Sequence, residues 1–159
     1  DVSGRIFMQT DSSFDTDTTA YKLIGKLSEL RQQNDAIAYG TTTIRYSNDD
    51  VLIYERKFYD DVVLVAINRQ PDKAYTIDNV ETLLPEGEYV DFLGGMLNGE
   101  NISVYASTGI NTTASITLDG GEVGVWQYDA AASVPEIGTG VCTFVSAGNR
   151  VYIYCDGLA

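Results

Sequence analysis

Cys142 and Cys155 are the two cysteines of the chain, and each falls in a run rich in strand-forming residues, 140–145 and 150–155. A hairpin turning at Ala147-Gly148-Asn149 would bring those runs side by side. The pair reads either as a disulfide or as two buried thiols. A bridge closing a loop of that size contributes roughly 3 kcal/mol by restricting the unfolded chain. There is no histidine. That removes histidine-centred triads, imidazole metal ligands and imidazole general bases together. Asp11, Asp15 and Asp17 carry charge enough for a cation, but their spacing fits no EF-hand loop, and they read as a polar entry to a helix.

The formal charge is −13, from 10 Lys and Arg against 23 Asp and Glu. Such a surface repels a phosphate backbone, so no nucleic-acid partner is expected. A neutral ligand such as a polysaccharide suits it, and so does a plain solvated acidic face. No apolar run approaches the roughly 18 residues needed to span a bilayer, so no membrane partner is expected either. The opening Asp1-Val2-Ser3 lacks the basic start and apolar stretch of a leader, which reads as a mature product or an internal piece. Hydrophobic residues make up 44% of the 159, enough to fill a packed core and set disorder aside.

Elements must hold these residues in place. Ala20, Leu23, Ile24, Leu27 and Leu30 recur at helical spacing and predict a helix over 18–33, started by Asp15 or Asp17 and with Arg31 in its last turn. Its apolar stripe must pack on something, either the rest of this chain or a body outside it. From residue 41 the pattern changes to short strand-forming runs at 41–46, 51–58, 62–69, 74–77, 87–91, 101–105, 112–118 and 122–128. Tyr59-Asp60-Asp61 is the clearest of the turns between them. The pattern predicts a mainly β chain, an antiparallel β-sandwich of about eight strands and Greek-key type, preceded by one α-helix. Residues 130–135 read as a linker. Trp126 is expected as a core or interface anchor.

Several blocks then recur in one order: T-T-A-Y-K-L-I-G-K-L-S-E-L-R (18–31), A-I-A-Y-G-T-T (36–42), I-Y-E-R-K-F (53–58), L-V-A-I-N-R (64–69), L-P-E-G-E-Y-V-D-F-L-G-G-M-L-N-G (84–99) and V-W-Q-Y (125–128). Together they resemble the C-terminal part of cyclodextrin glucanotransferases and maltogenic α-amylases, glycoside hydrolases of the α-amylase superfamily. The resemblance implies three parts. Residues 1–35 would be the last loop and helix of a catalytic (β/α)8 barrel, and 36–129 the antiparallel β-sandwich. Residues 130–159 would be a linker and the truncated start of an immunoglobulin-like domain.

The implied function is that of a C-terminal segment of a secreted, extracellular enzyme acting on starch and other α-1,4-glucans. Its implied partners are the catalytic barrel part of the same enzyme and the α-glucan itself, starch or maltodextrin. Retaining glycoside chemistry needs a carboxylate nucleophile and a protonated acid flanking the scissile bond. The resemblance puts those groups on barrel strands upstream, and a barrel needs at least about 200 residues. No catalytic residue is therefore expected in this chain, which should be inactive alone. The family's calcium belongs to the barrel part, so no cofactor or metal is expected here.

Two groups of ligand contacts follow from the same resemblance. Asp1 and Arg5 match an Asp-x-x-x-Arg loop lining donor subsites, Asp1 accepting hydrogen bonds from sugar hydroxyls and Arg5 donating them. Arg45-Tyr46-Ser47-Asn48 matches the Arg-Trp-x-Asn of a surface maltose site, with Tyr in place of Trp. Asn79 falls on its opposing turn. Tyr46 would stack on a sugar face while Asn48 bonds the hydroxyls. Two other readings compete: a free-standing carbohydrate-binding module using Tyr46 and Asn48 unaided, and an acidic structural module of a cell-surface protein.

Overall fold

The computed structural model describes residues 15–113, 115–130, 143–147 and 150–154. Helix α1 (Thr19–Gln33) begins where Thr18 Oγ1 accepts the Tyr21 N–H at 3.3 Å. Thr18 is the cap, rather than Asp15 or Asp17; the Asp15 carboxylate accepts from the Asp17 N–H instead. Asn34 closes α1 through its own N–H and opens α2 (Asp35–Tyr39) through Oδ1, which accepts the Ala36 N–H at 3.0 Å. Its Nδ2 donates to the Tyr128 carbonyl at 3.1 Å and to Gln127 Oε1 at 3.3 Å. The expected single helix is thus a pair, because five residues leave no periodic stripe to read.

Three strands follow as an antiparallel meander: β1 (Thr41–Ser47), β2 (Val51–Phe58) and β3 (Asp61–Asn68). The chain then leaves that sheet for β4 (Tyr75–Asp78), β5 (Glu81–Thr82), β6 (Gly87–Tyr89), β7 (Ile102–Tyr105), β8 (Asn111–Thr113) and β9 (Ser115–Leu118). It returns as β10 (Val123–Tyr128), antiparallel to β3. The ladder orders are β1-β2-β3-β10, β5-β8-β7-β6 and β4-β9. A separate hairpin, β11 (Thr143–Ala147) and β12 (Arg150–Tyr154), pairs Thr143 with Tyr154. The fold is mainly β and antiparallel, with the helices at its start. One difference is that the run expected over 112–118 divides between β8, which pairs with β7, and β9, which pairs with β4. The other is β5, two residues long and too short to show alternation.

Two cores explain the layering. The inner core joins Val51, Ile53, Val62, Leu64, Ala66 and Trp126 of the first sheet to Ile77, Leu84, Ile102, Val104, Ile116 and Leu118 of the facing strands. The outer core lies on the other side of that sheet, where Val63, Val65 and Val125 meet Leu30 of α1, Ala36 of α2 and Leu93. β3 is therefore buried on both faces, which is why its run V-V-L-V-A-I is apolar without alternation. Trp126 is an inner-core anchor, 1% exposed, with Nε1 donating to the Glu100 carbonyl at 2.8 Å. Among the described residues no helix is long and apolar enough to cross a membrane.

Candidate functional site

The β1–β2 ladder slips between Ile44 and Tyr46, so Arg45 occupies a bulge. In an unbroken strand Arg45 and Tyr46 would point to opposite faces. The extra residue turns both toward the inner layer. Arg45 Nη2 reaches Glu55 Oε1 at 2.5 Å, and Tyr46 packs against the inner core. Glu55 is 1% exposed, and its other oxygen accepts from Thr82 Oγ1 at 2.6 Å and from the Leu83 N–H at 2.8 Å. Arg45 is thus committed to a buried ion pair beneath the strand end, where it holds Tyr46 rather than facing a ligand.

Asn48 fixes the turn that follows. Its Oδ1 accepts the N–H groups of Asp50 and Val51 at 2.8 and 2.7 Å, and its Nδ2 donates to Tyr46 Oη at 3.0 Å. One amide hydrogen stays available after that bond, which is what a sugar hydroxyl would need. Asn48 also lines an open cleft of 520 Å3 with Asp49, Asp50 and Arg69. Asn79 is exposed and adopts a left-handed φ of 54° between β4 and β5, flanked by Ile77 and Val80 of the inner core. The structure joins Arg45, Tyr46 and Asn48 directly, while Asn79 belongs to a different sheet. Asp1, Arg5, Cys142 and Cys155 lie outside the described residues.

A neighbouring network escaped the sequence. Lys73 Nζ donates to Tyr75 Oη at 2.7 Å and sits 4.3 Å from the centre of that ring, while Tyr75 Oη donates to Asp50 Oδ2. These hydrogen bonds favour the charged ammonium and raise the Lys73 pKa, with Tyr75 the larger cause. Asp50 and Tyr75 are far apart in sequence and meet only through the sandwich, so no local spacing could have flagged them.

The second candidate surface is apolar. Leu30 of α1 is buried and Leu23 is half-buried against the outer face of the sheet, but Ile24 is 66% exposed and Leu27 45%. Between helix and sheet runs a groove of 320 Å3, lined among others by Leu23, Leu27, Ile37, Tyr54, Leu93 and Val125. Its floor is held by the 4% exposed Asp91, whose carboxylate accepts the Gly95 N–H at 2.8 Å and the Val125 N–H at 3.0 Å. The stripe read from the sequence is therefore only half covered by this chain.

The model for the C-terminal all-beta domain of alpha amylase matches residues 45–129. The cyclomaltodextrin glucanotransferase of Thermoanaerobacterium thermosulfurigenes is 51% identical over 142 residues, covering 89% of this chain and 20% of that protein. That of Geobacillus stearothermophilus is 46% identical over 146 residues, 92% of this chain and 20% of the relative. The crystal structure of gamma-CGTase from alkalophilic Bacillus clarkii superposes with a TM-score of 0.68 at 49% identity, over 72% of this chain and 17% of that one. The chain spans about a fifth of the length of the curated relatives it matches.

Proposed function

This chain belongs to the family of alpha-amylase C-terminal all-beta domains, and from that premise we propose that it serves a cyclodextrin glucanotransferase-like enzyme acting on starch and related α-1,4-glucans. In this reading residues 1–35 complete a catalytic barrel, 36–129 form the supporting sandwich, and 130–159 lead into an immunoglobulin-like domain. The catalytic carboxylates lie outside the chain. The enzyme is secreted.

The observation that carries the proposal is the half-covered stripe of α1. Ile24 and Leu27 are large apolar side chains left in water beside an apolar groove. Burying each fully would contribute about 1.5–3 kcal/mol. A barrel packed there recovers that energy and fixes the sandwich against the catalytic part. Supporting the starch-type substrate are the cyclomaltodextrin glucanotransferase relatives and the stacking ring of Tyr46, with Asn48 beside it. Asn79 completes that surface from the facing layer, and Asp1 and Arg5 extend from the barrel end toward the cleft.

The test is reconstitution. A separately produced barrel fragment of a relative is mixed with this chain, and complex formation and starch conversion are followed. The proposal expects a stoichiometric complex and recovered activity. Absence of both would favour a free-standing module instead.

A further inference from the structure

We propose that the junction of α2 with the β2–β3 hairpin is a second α-glucan contact, built on Tyr39, Phe58 and Tyr59; the choice of glucan as ligand rests on the function proposed above. Tyr39 closes α2 and is 70% exposed, and Tyr59 sits at the hairpin tip and is 56% exposed. Phe58 stands between them, 5.7 Å from Tyr39 and 4.8 Å edge-on to Tyr59 by ring centres. Two open tyrosine rings thus share one aromatic support.

Tyr59 marks the place as more than ordinary surface. The turn from Phe58 to Asp61 has two central residues, and the first of them, Tyr59, has a φ of 50°. Such hairpins take glycine at that position, because a side chain there opposes the backbone. A bulky aromatic held outward in that conformation is an outlier of the kind found at ligand contacts.

The chemistry around the rings is that of a polyol site. Beside Tyr39 opens a cleft of 510 Å3 lined by Ser28, Arg31, Gln32 and Asp35. The C–H face of a glucose ring stacks on an aromatic ring, while its hydroxyls both give and take hydrogen bonds from such polar side chains. The groove under α1 is lined by aliphatic side chains and suits protein packing; this cleft is mixed and suits sugar. A neutral ligand also meets no penalty from the net charge of −13, which would oppose an anionic one.

The experiment is native electrophoresis of this chain through gels containing soluble starch, with thermal melting alongside. Tyr39→Ala and Tyr59→Gly are each expected to weaken retardation several-fold. Tyr59→Gly is also expected to raise Tm, since glycine accepts the positive φ, so its loss of binding would not come from unfolding. Full retardation of both variants, with loss only in Tyr46→Ala, overturns this contact and leaves the function proposed above intact. A parent chain that starch does not retard overturns both this contact and the glucan-binding part of that function, while the reconstitution test of barrel support stands separately.

Discussion

Arg45 Nη2 lies 2.5 Å from Glu55 Oε1, across the slip in the β1–β2 ladder. The side chains are 11% and 1% exposed, so the pair is largely out of water. Arg45→Ala would leave the Glu55 carboxylate with Thr82 and the Leu83 N–H as its donors. Breaking a buried pair from one side costs about 3–5 kcal/mol. Urea denaturation should register a loss of that order, and starch retardation should fall with it as Tyr46 loses its support. A variant as stable as the parent would mean that Arg45 does not hold this strand end.

Asn68 should be as sensitive for a different reason. It is 1% exposed, and its Nδ2 donates to the carbonyls of Lys73 and Asp119 at 2.7 and 2.8 Å, while Oδ1 accepts the Gln70 N–H at 3.0 Å. It ties the end of β3 to the approach to β4 and to the turn before β10. Asn68→Ala strands buried backbone groups, at about 1–3 kcal/mol. Chemical denaturation measures this, and Asn68→Asp should fare no better, because a carboxylate would face carbonyl oxygens.

The ring of Trp126 covers Gly124 so closely that a Cβ there would lie 2.5 Å from Cη2 and Cζ2. Gly124→Ala forces the ring off its bond to Glu100, and overpacking of this kind costs about 1–3 kcal/mol. Trp126 is the single tryptophan, so its fluorescence reports the displacement directly. A red-shifted emission and a lower Tm are expected together.

Glu122 gives the fold a pH dependence. Burial raises its pKa first, and the charges of Asp119, Glu100 and Asp91 add to this against the lowering bond from the Asp119 N–H. The folded pKa exceeds the unfolded one, so the stability this group contributes is whole below the ordinary glutamate range, near about 4.3, and is lost as pH rises through the raised value. Glu122→Gln should therefore melt higher than the parent at neutral pH, with the gap closing on acidification. A gap that widens toward acid would reverse the sign and refute the assignment.

Leu27→Asp tests the groove. The side chain is 45% exposed, so the variant chain should melt close to the parent. Recovery of starch conversion on mixing with a barrel fragment should drop steeply, because a carboxylate would be pressed into an apolar contact. Undiminished recovery would place the barrel elsewhere.

The sequence revealed elements whose signal repeats along the chain. β2 and β3 stood out as long strand-forming runs around Tyr59 and Asp60, and α1 as a stripe from Ala20 to Leu30. Helix α2 and strand β5 did not, since each is shorter than the period that would reveal it. The bulge at Arg45 was hidden for a stronger reason. Strict alternation assigns Arg45 and Tyr46 to opposite faces, and only the facing ladder, with Glu55 beneath it, turns them together. Arg45 was read as a ligand contact from its neighbours in sequence, whereas its partner sits ten positions later on the next strand.

Asn34 has a mechanical consequence. One side chain receives the start of α2 and grips the end of β10, while the same residue's backbone closes α1. Torque applied to α1 by a docked body would pass into the sheet through a single carboxamide. The tilt between the two bodies would then be set by that rivet, and loosening it would let them yaw without unfolding either.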